Sequence, residues 1–248
     1  MRAAGRGTAL ALCTAVVYAV LAPTELVLRL APSLRRRWRD RLFRRWSKLV
    51  MAILAVRLEV RGTAPQPPFL LVTNHLGYLD VPLLASRLPA RFVAKAEVRR
   101  WPVIGLFTRS VSTIFVDRTL RRDVLRVGGK ICAAIAEGDG VILFPEGTST
   151  AGHDVAPFRS ALLAEAADAG IPVHYATIRY RTPPGEPPAA ETVCWWGDMS
   201  FAPHLGRLLS LSAIEATLVF GAEPIRASCR KRLAARLNEA VRTQLHGG

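Results

Sequence analysis

The chain has 248 residues, and 34 Lys/Arg oppose 19 Asp/Glu for a formal net charge of +15; half of the residues are apolar, 21% are charged and the mean hydropathy is +0.22. The apolar content excludes a disordered chain, and the lack of a fixed short period excludes collagen-like and heptad-repeat proteins. The length suits one core of moderate size or one core plus an appendage, and basicity combined with apolarity points to an anionic surface, either nucleic acid or a membrane.

Residues 1–61 hold 13 of the 34 basic residues but only 3 of the 19 acidic ones. A nucleic-acid domain spreads basic residues over a folded face with exposed aromatics or a recognition helix. Here they flank apolar segments, so the expected partners are membrane lipids and not nucleic acid. Arg2 and Arg6 precede an apolar run at residues 9–22, short of the ~20 residues of a bilayer span. The order fits a signal peptide, but a small-residue cleavage site is indistinct. Residues 34–56 interleave Arg35, Arg36, Arg37, Arg39, Arg41, Arg44, Arg45 and Lys48 with apolar positions. Trp38, Leu42, Trp46, Leu49 and Ile53 recur at spacings of three and four, which predicts one helical stripe. Tryptophan beside arginine on such a helix has the composition of an interfacial anchor, with ~1 kcal/mol per basic residue near an anionic leaflet. Residues 1–56 are therefore read as N-terminal membrane-anchoring helices. The first either spans the bilayer or dips into it with the second as a hairpin.

From residue 57 short apolar runs alternate with amphipathic ones. Strands are predicted at residues 57–61, 69–72, 91–94, 113–116, 141–144, 173–180, 192–195 and 214–219, and helices at 81–88, 120–137, 158–169 and 227–243. That alternation predicts an α/β domain with a largely buried sheet over residues 57–248. Proline-rich stretches at 64–68 and 183–188 read as linkers. Cys13, Cys132, Cys194 and Cys229 lack paired spacing and read as small apolar fillers, not zinc ligands or a disulfide framework. The histidines show no metal-ligand spacing, so no metal is expected.

Two segments follow predicted strands directly. In FLLVTNHLGYLDVPLL an apolar strand ends at Asn74-His75, and Gly77 and Asp80 precede an apolar helix. Five positions along a regular helix place two residues about 140° apart, so His75 and Asp80 meet only if a turn at Gly77 folds the carboxylate back. A carboxylate on one ring nitrogen fixes the tautomer and leaves the other nitrogen to take a proton. No serine or cysteine nucleophile stands beside the pair, which favours direct activation of a substrate hydroxyl. In GVILFPEGTSTAG a strand ends at Phe144-Pro145, and Glu146, Gly147 and Thr148 open a polar loop suited to phosphate or hydroxyl groups. It lacks the Gly-Lys-Ser/Thr ending of a P-loop.

Together and in this order, these segments resemble the glycerolipid acyltransferase family, whose bacterial prototype is the PlsC-type 1-acylglycerol-3-phosphate acyltransferase. NHLGYLD resembles the family's Asn-His-x-x-x-x-Asp block, IFVDR its second block, FPEGT its third and AGIPVHYATI its fourth. The resemblance covers residues 57–225 and implies an acyltransferase-type α/β domain with a mixed central sheet flanked by helices, preceded by a membrane-associated helical pair. It puts His75 and Asp80 in the catalytic places, Arg118 in the acceptor-binding place, and Asn74, Lys95, Glu146, Gly147 and Thr148 among the substrate-binding positions. It implies no cofactor, with acyl-CoA or acyl carrier protein as co-substrate. It also implies a lysolipid acceptor, and the inner (cytoplasmic) membrane with the catalytic domain facing the cytoplasm. The family's arginine after Glu-Gly-Thr is Ser149 here. The acceptor expected first is 1-acylglycerol-3-phosphate; the alternative is a lyso-ornithine lipid, whose acyltransferases EGTST, PFRSALL and WWGDM also resemble. A non-catalytic membrane-surface binding protein is the alternative of another class.

Overall fold

The structure, a computed structural model, describes residues 1–101, 105, 108, 111–117 and 119–247. Its helices are α1 (Arg2–Val27), α2 (Pro32–Ile53), α3 (Asp80–Ala85), α4 (Arg121–Ala136), α5 (Ala164–Asp168), α6 (Ala189–Thr192), α7 (Phe201–Ser210) and α8 (Arg230–His246). Its strands are β1 (Val56–Arg61), β2 (Phe69–Thr73), β3 (Ala90–Lys95), β4 (Ile114–Val116), β5 (Gly140–Leu143), β6 (Val173–Arg181) and β7 (Ile214–Phe220).

The strands form one sheet in the order β1-β7-β6-β2-β5-β3-β4. Neighbours run parallel except β6 and β7, so the sheet is mixed. Every residue of β2 and β5 is buried, as continuous apolar runs demand when helices cover both faces of a parallel sheet. Side chains alternate across β2. Phe69 and Leu71 join a core with α2, α3 and α7, while Leu70 and Val72 join a second core with α4 and α8. β1 is an edge strand, and its exposed Arg57, Glu59 and Arg61 suit an unpaired edge. In the β2–β5 pairing Val72 stands opposite Leu143. The chain therefore leaves both strands at one end of the sheet, and the His75 and Glu146 loops emerge side by side. In open α/β sheets ligands bind at this carboxyl end.

Several expectations are corrected. Residues 192–195 do not form a strand. Val193 N–H and Cys194 N–H both bond to Ala189 O at 2.8 Å, closing α6, and Trp195 N–H bonds to Leu76 O at 2.8 Å. The run is apolar because it is buried over the His75 loop, not because it pairs with a strand. The helix expected over 158–169 begins as a 3₁₀ turn at Ser160–Leu163 and is α-helical only in α5. α7 was not expected, since Pro203 and Gly206 obscure its pattern. Cys229 is exposed at the start of α8, and Cys13 and Cys132 are half-buried, so only Cys194 is a buried filler.

The N-terminal pair also differs from the expectation. α1 runs for 26 residues, of which Arg2–Thr24 is long and apolar enough to cross a membrane by length and composition. It lies along α2 and α7: Trp46 Nε1–H donates to Thr14 Oγ1 at 3.1 Å, and Arg6 donates to Leu211 O and Ser212 O just past the end of α7. A cation at a helix C-terminus also suits the helix dipole. The buried face of α2 is Arg39, Leu42, Phe43, Ser47, Val50 and Met51, and Leu49 of the expected stripe is 50% exposed. The stripe is rotated because Arg39 faces inward. It bonds to Asp40 at 2.8 Å and to Ser112 Oγ at 2.9 Å, while Arg36 lies 3.2 Å from the buried Asp139. Leu21 of α1 and Leu42, Phe43, Val50 and Met51 of α2 share a core with Phe69 and Leu83, so the pair packs as part of the α/β body.

Candidate active site

The first loop begins where β2 ends. Asp80 is the first residue of α3, and its fully buried Oδ2 accepts N–H bonds from Leu76 at 2.7 Å and Gly77 at 3.0 Å. These bonds fold the turn back on itself, and the same oxygen takes the His75 Nδ1 hydrogen bond at 2.8 Å. With Nδ1 donating to the carboxylate, Nε2 carries the lone pair. The imidazole stacks on Phe144, with centroids 4.2 Å apart and planes at 25°. Its side chain is 24% exposed while that of Asp80 is sealed. Gly77 has φ +156°, and a Cβ there would stand 2.9 Å from Trp195 N; only glycine admits that approach. The turn the sequence required at Gly77 is thus present, and the pair is brought together.

The second loop continues β5. The Glu146 carboxylate is 3% exposed and accepts from His75 N–H at 2.6 Å and Ala156 N–H at 2.8 Å. Burial pushes its carboxyl up to about 7, against the two N–H donors, which favour the charged form. Its oxygens hold the two loops together, so the structure places it as a backbone clamp where the sequence reading had a substrate ligand. Asn74 is held in the same way. It is buried, Nδ2–H donates to Ile178 O at 2.9 Å and Oδ1 accepts from Ile178 N–H at 2.8 Å, which ties β2 to β6. Gly147 turns at φ +78°, and Thr148 is exposed beyond it. Thr150 N–H reaches His75 O at 2.9 Å, so residues 147–149 lie beside the imidazole's loop. Lys95 is exposed at the end of β3, on the same edge of the sheet. Arg118 lies outside the described residues.

Further features surround this site. Tyr180 of β6 donates its hydroxyl to Asp80 Oδ1 at 3.0 Å, and the phenol is buried. The segment after α6 sits on both loops: Trp195 N–H bonds to Leu76 O, and Ser149 Oγ–H donates to Trp195 O. Tyr78, Trp101, Trp195 and Phe201 pack edge-on or tilted, with centroids 5.2 to 6.1 Å apart, as an aromatic wall. His204 is buried beneath that wall. Its Nε2–H donates to Cys194 O at 3.1 Å, so its Nδ1 accepts the Tyr78 hydroxyl at 2.9 Å, and burial lowers its proton affinity. Only the pairing of β2 with β6 brings Tyr180 near His75, and spacing alone could not have found it.

A partly exposed imidazole on a sealed carboxylate, backed by a polar loop, is suited to taking a proton from a hydroxyl at Nε2. The Acyltransferase family profile matches residues 56–179. The lyso-ornithine lipid O-acyltransferase of Pseudomonas aeruginosa is 35% identical over 213 residues, covering 84% of this chain and 80% of that protein. The 1-acyl-sn-glycerol-3-phosphate acyltransferase of Neisseria meningitidis serogroup B is 30% identical, covering 78% and 76%. The crystal structure of the 1-acyl-sn-glycerophosphate acyltransferase PlsC from Thermotoga maritima matches with a TM-score of 0.67 at 20% identity, over 98% of this chain and 97% of that one, which establishes a shared fold. With its mixed sheet, its paired His75 and Asp80 and these relatives, the chain belongs to the PlsC-type acyltransferase family, whose members transfer acyl groups to lysolipids.

Proposed function

We propose that His75 is the general base of an O-acyl transfer from a thioester, acyl-CoA or acyl carrier protein, to the hydroxyl of a lyso-ornithine lipid. The observation that carries the chemistry is the 2.8 Å bond from His75 Nδ1 to Asp80 Oδ2, which leaves Nε2 as the basic nitrogen of a partly exposed side chain. Nε2 takes the hydroxyl proton as the oxygen attacks the thioester carbonyl. The C–O bond forms, the C–S bond breaks, and the leaving thiolate takes the proton back from the imidazolium. Asp80 orients the ring and stabilises its cation. General-base help of this kind contributes ~10²–10⁴-fold. Lys95, Thr148 and Arg118 are the polar positions left to bind acceptor or donor, since Asn74 and Glu146 hold backbone.

Residue 149 supports the lyso-ornithine lipid acceptor. Its hydroxyl donates to a backbone carbonyl, and the position offers no cation for a phosphate monoester. Relatives named as lyso-ornithine lipid O-acyltransferases match at 34% and 35% identity, with 89% and 80% of their length covered. A second reading, transfer to 1-acylglycerol-3-phosphate, is favoured by Arg118 in the IFVDR block and by the relative at 30%. Attachment to the inner leaflet through the α1–α2 pair brings the lipid acceptor to the site from the membrane while the donor arrives from solution.

The test is purified protein with each lysolipid in turn, following thiol release and diacyl product. Product from lyso-ornithine lipid, lost in His75→Ala, is the expected result. Turnover of 1-acylglycerol-3-phosphate alone moves the acceptor to the second reading. No turnover of any lysolipid overturns the enzyme reading.

A further inference from the structure

We infer that Tyr180 is a positioning residue for the proton-transfer pair, its hydroxyl fixing which way the Asp80 carboxylate faces. This rests on the reading of His75 and Asp80 as that pair.

Asp80 is sealed from solvent, and its two oxygens are unequally served. Oδ2 takes three donors: His75 Nδ1–H, Leu76 N–H and Gly77 N–H. Oδ1 takes one, the Tyr180 hydroxyl at 3.0 Å, and among the described residues it has no other partner. A carboxylate can rotate about its Cβ–Cγ bond and exchange its oxygens. Here a donor fixed on a strand opposes that rotation. Tyr180 is the penultimate residue of β6, bonded to β7 on one side, and its ring sits in the core shared with α3. The hydroxyl is therefore held by the sheet, while His75 is held by a loop.

The electrostatics agree. The titratable groups facing Asp80 are His75 from its own loop, Tyr180 from β6, Cys194 from the segment after α6, and Glu146 from the loop after β5. Among the described residues none of these is a permanent cation. Burial pushes the Cys194 thiol up to about 12 and raises the Tyr180 phenol well above its ordinary value, so both stay neutral. Among the described residues the Asp80 carboxylate is served by hydrogen-bond donors, and Tyr180 is the side-chain donor besides His75. A buried carboxylate that loses a donor holds a proton more tightly. It then serves the imidazole poorly as the pH falls.

The experiment compares wild type, Tyr180→Phe and His75→Ala in acyl transfer to a lysolipid across pH. For Tyr180→Phe the expected result is kcat lowered about ten- to a hundredfold, the range of a hydrogen bond to a charged group, with acceptor and donor KM within about twofold. The acid limb of kcat/KM moves toward neutral pH by about one pH unit. A structural role alone would raise KM or lower the melting temperature without moving that limb; an unmoved limb overturns the inference, whatever happens to kcat. Should the phenylalanine variant fail to fold, 3-fluorotyrosine at position 180 carries the test. A more acidic phenol is a stronger donor and shifts the limb to lower pH, and a limb that stays in place overturns the inference. Retention of activity in His75→Ala would instead remove the base itself. An inactive His75→Ala beside a wild-type-like Tyr180→Phe would remove only the role of Tyr180.

Discussion

Glu146 carries two opposed demands on a single carboxyl. Its oxygens accept the N–H groups of His75 and Ala156, which favours charge, while its burial favours the neutral acid and is the larger effect. The carboxyl titrates near 7 in the folded protein against an ordinary value of 4.5, so between these values the folded state binds the proton that the unfolded state releases. The contribution is fully present below about pH 4.5 and is lost as pH rises through about 7, by up to about 3 kcal/mol. Chemical denaturation at pH 5 and pH 8 should show this loss in wild type. It should be absent in Glu146→Gln, which also gives up one acceptor and is less stable at both values. At His75 the readout is activity. The side chain is partly open, so His75→Ala should leave the melting temperature within a few degrees while acyl transfer falls by about 10²–10⁴-fold, as read by thiol release. At this scale the pairing of His75 with Asp80 was legible in the sequence because the turn that joins them is local. Tyr180 and the clamp role of Glu146 were not, because each depends on strands that are distant in sequence and adjacent in space.

At the scale of elements, α2 is fastened to the sheet by charge as well as by apolar contact. Arg36, Arg39 and Arg91 converge on Asp139, just before β5, whose side chain is 3% exposed. Removing a buried partner leaves uncompensated charge and typically costs about 3 kcal/mol or more. Asp139→Ala should therefore lower the denaturation midpoint markedly, whereas Glu59→Ala, which breaks a pair of exposed side chains with Arg61, should barely move it. The same cluster shows why the face of α2 was misread. Arginines at Arg36 and Arg39 look like leaflet-facing charge until a buried aspartate about a hundred residues away is known. The buried parallel strands were easier to read, because β2 and β5 are apolar along their whole length. Residues 192–195 have the same apolar composition without a strand partner, and a short run cannot distinguish the two.

Taken whole, the molecule carries its apolar excess at one end. α1 and α2 form an antiparallel hairpin whose turn exposes Val27 at 76% and Leu30 at 99%, with Leu26 and Leu34 also exposed. Pro23, Val27, Leu28, Leu34 and Trp38 line an apolar groove beside it. Leu12, Val16 and Val20 continue the exposed stripe along α1 at four-residue spacing. Arg37, Arg41, Arg45 and Lys48 are exposed along α2. An exposed apolar patch next to basic residues is the arrangement of a leaflet-facing surface. Deleting the hairpin is a poor test, because Leu21, Leu42 and Phe43 belong to the core and their loss would expose it. Val27→Asp with Leu30→Asp leaves the core intact and puts two charges where apolar side chains stood. Burying one such side chain is worth roughly 1.5–3 kcal/mol. Co-sedimentation with vesicles containing phosphatidylglycerol should therefore fall at least about tenfold in the double variant. Raising salt on wild type should weaken binding only in part, since salt screens the basic residues and not the apolar turn. Transfer to a lysolipid embedded in those vesicles should fall with binding, while transfer to the same lysolipid dispersed in detergent should stay at the wild-type rate. Equal vesicle binding by wild type and variant would remove this turn as a membrane contact.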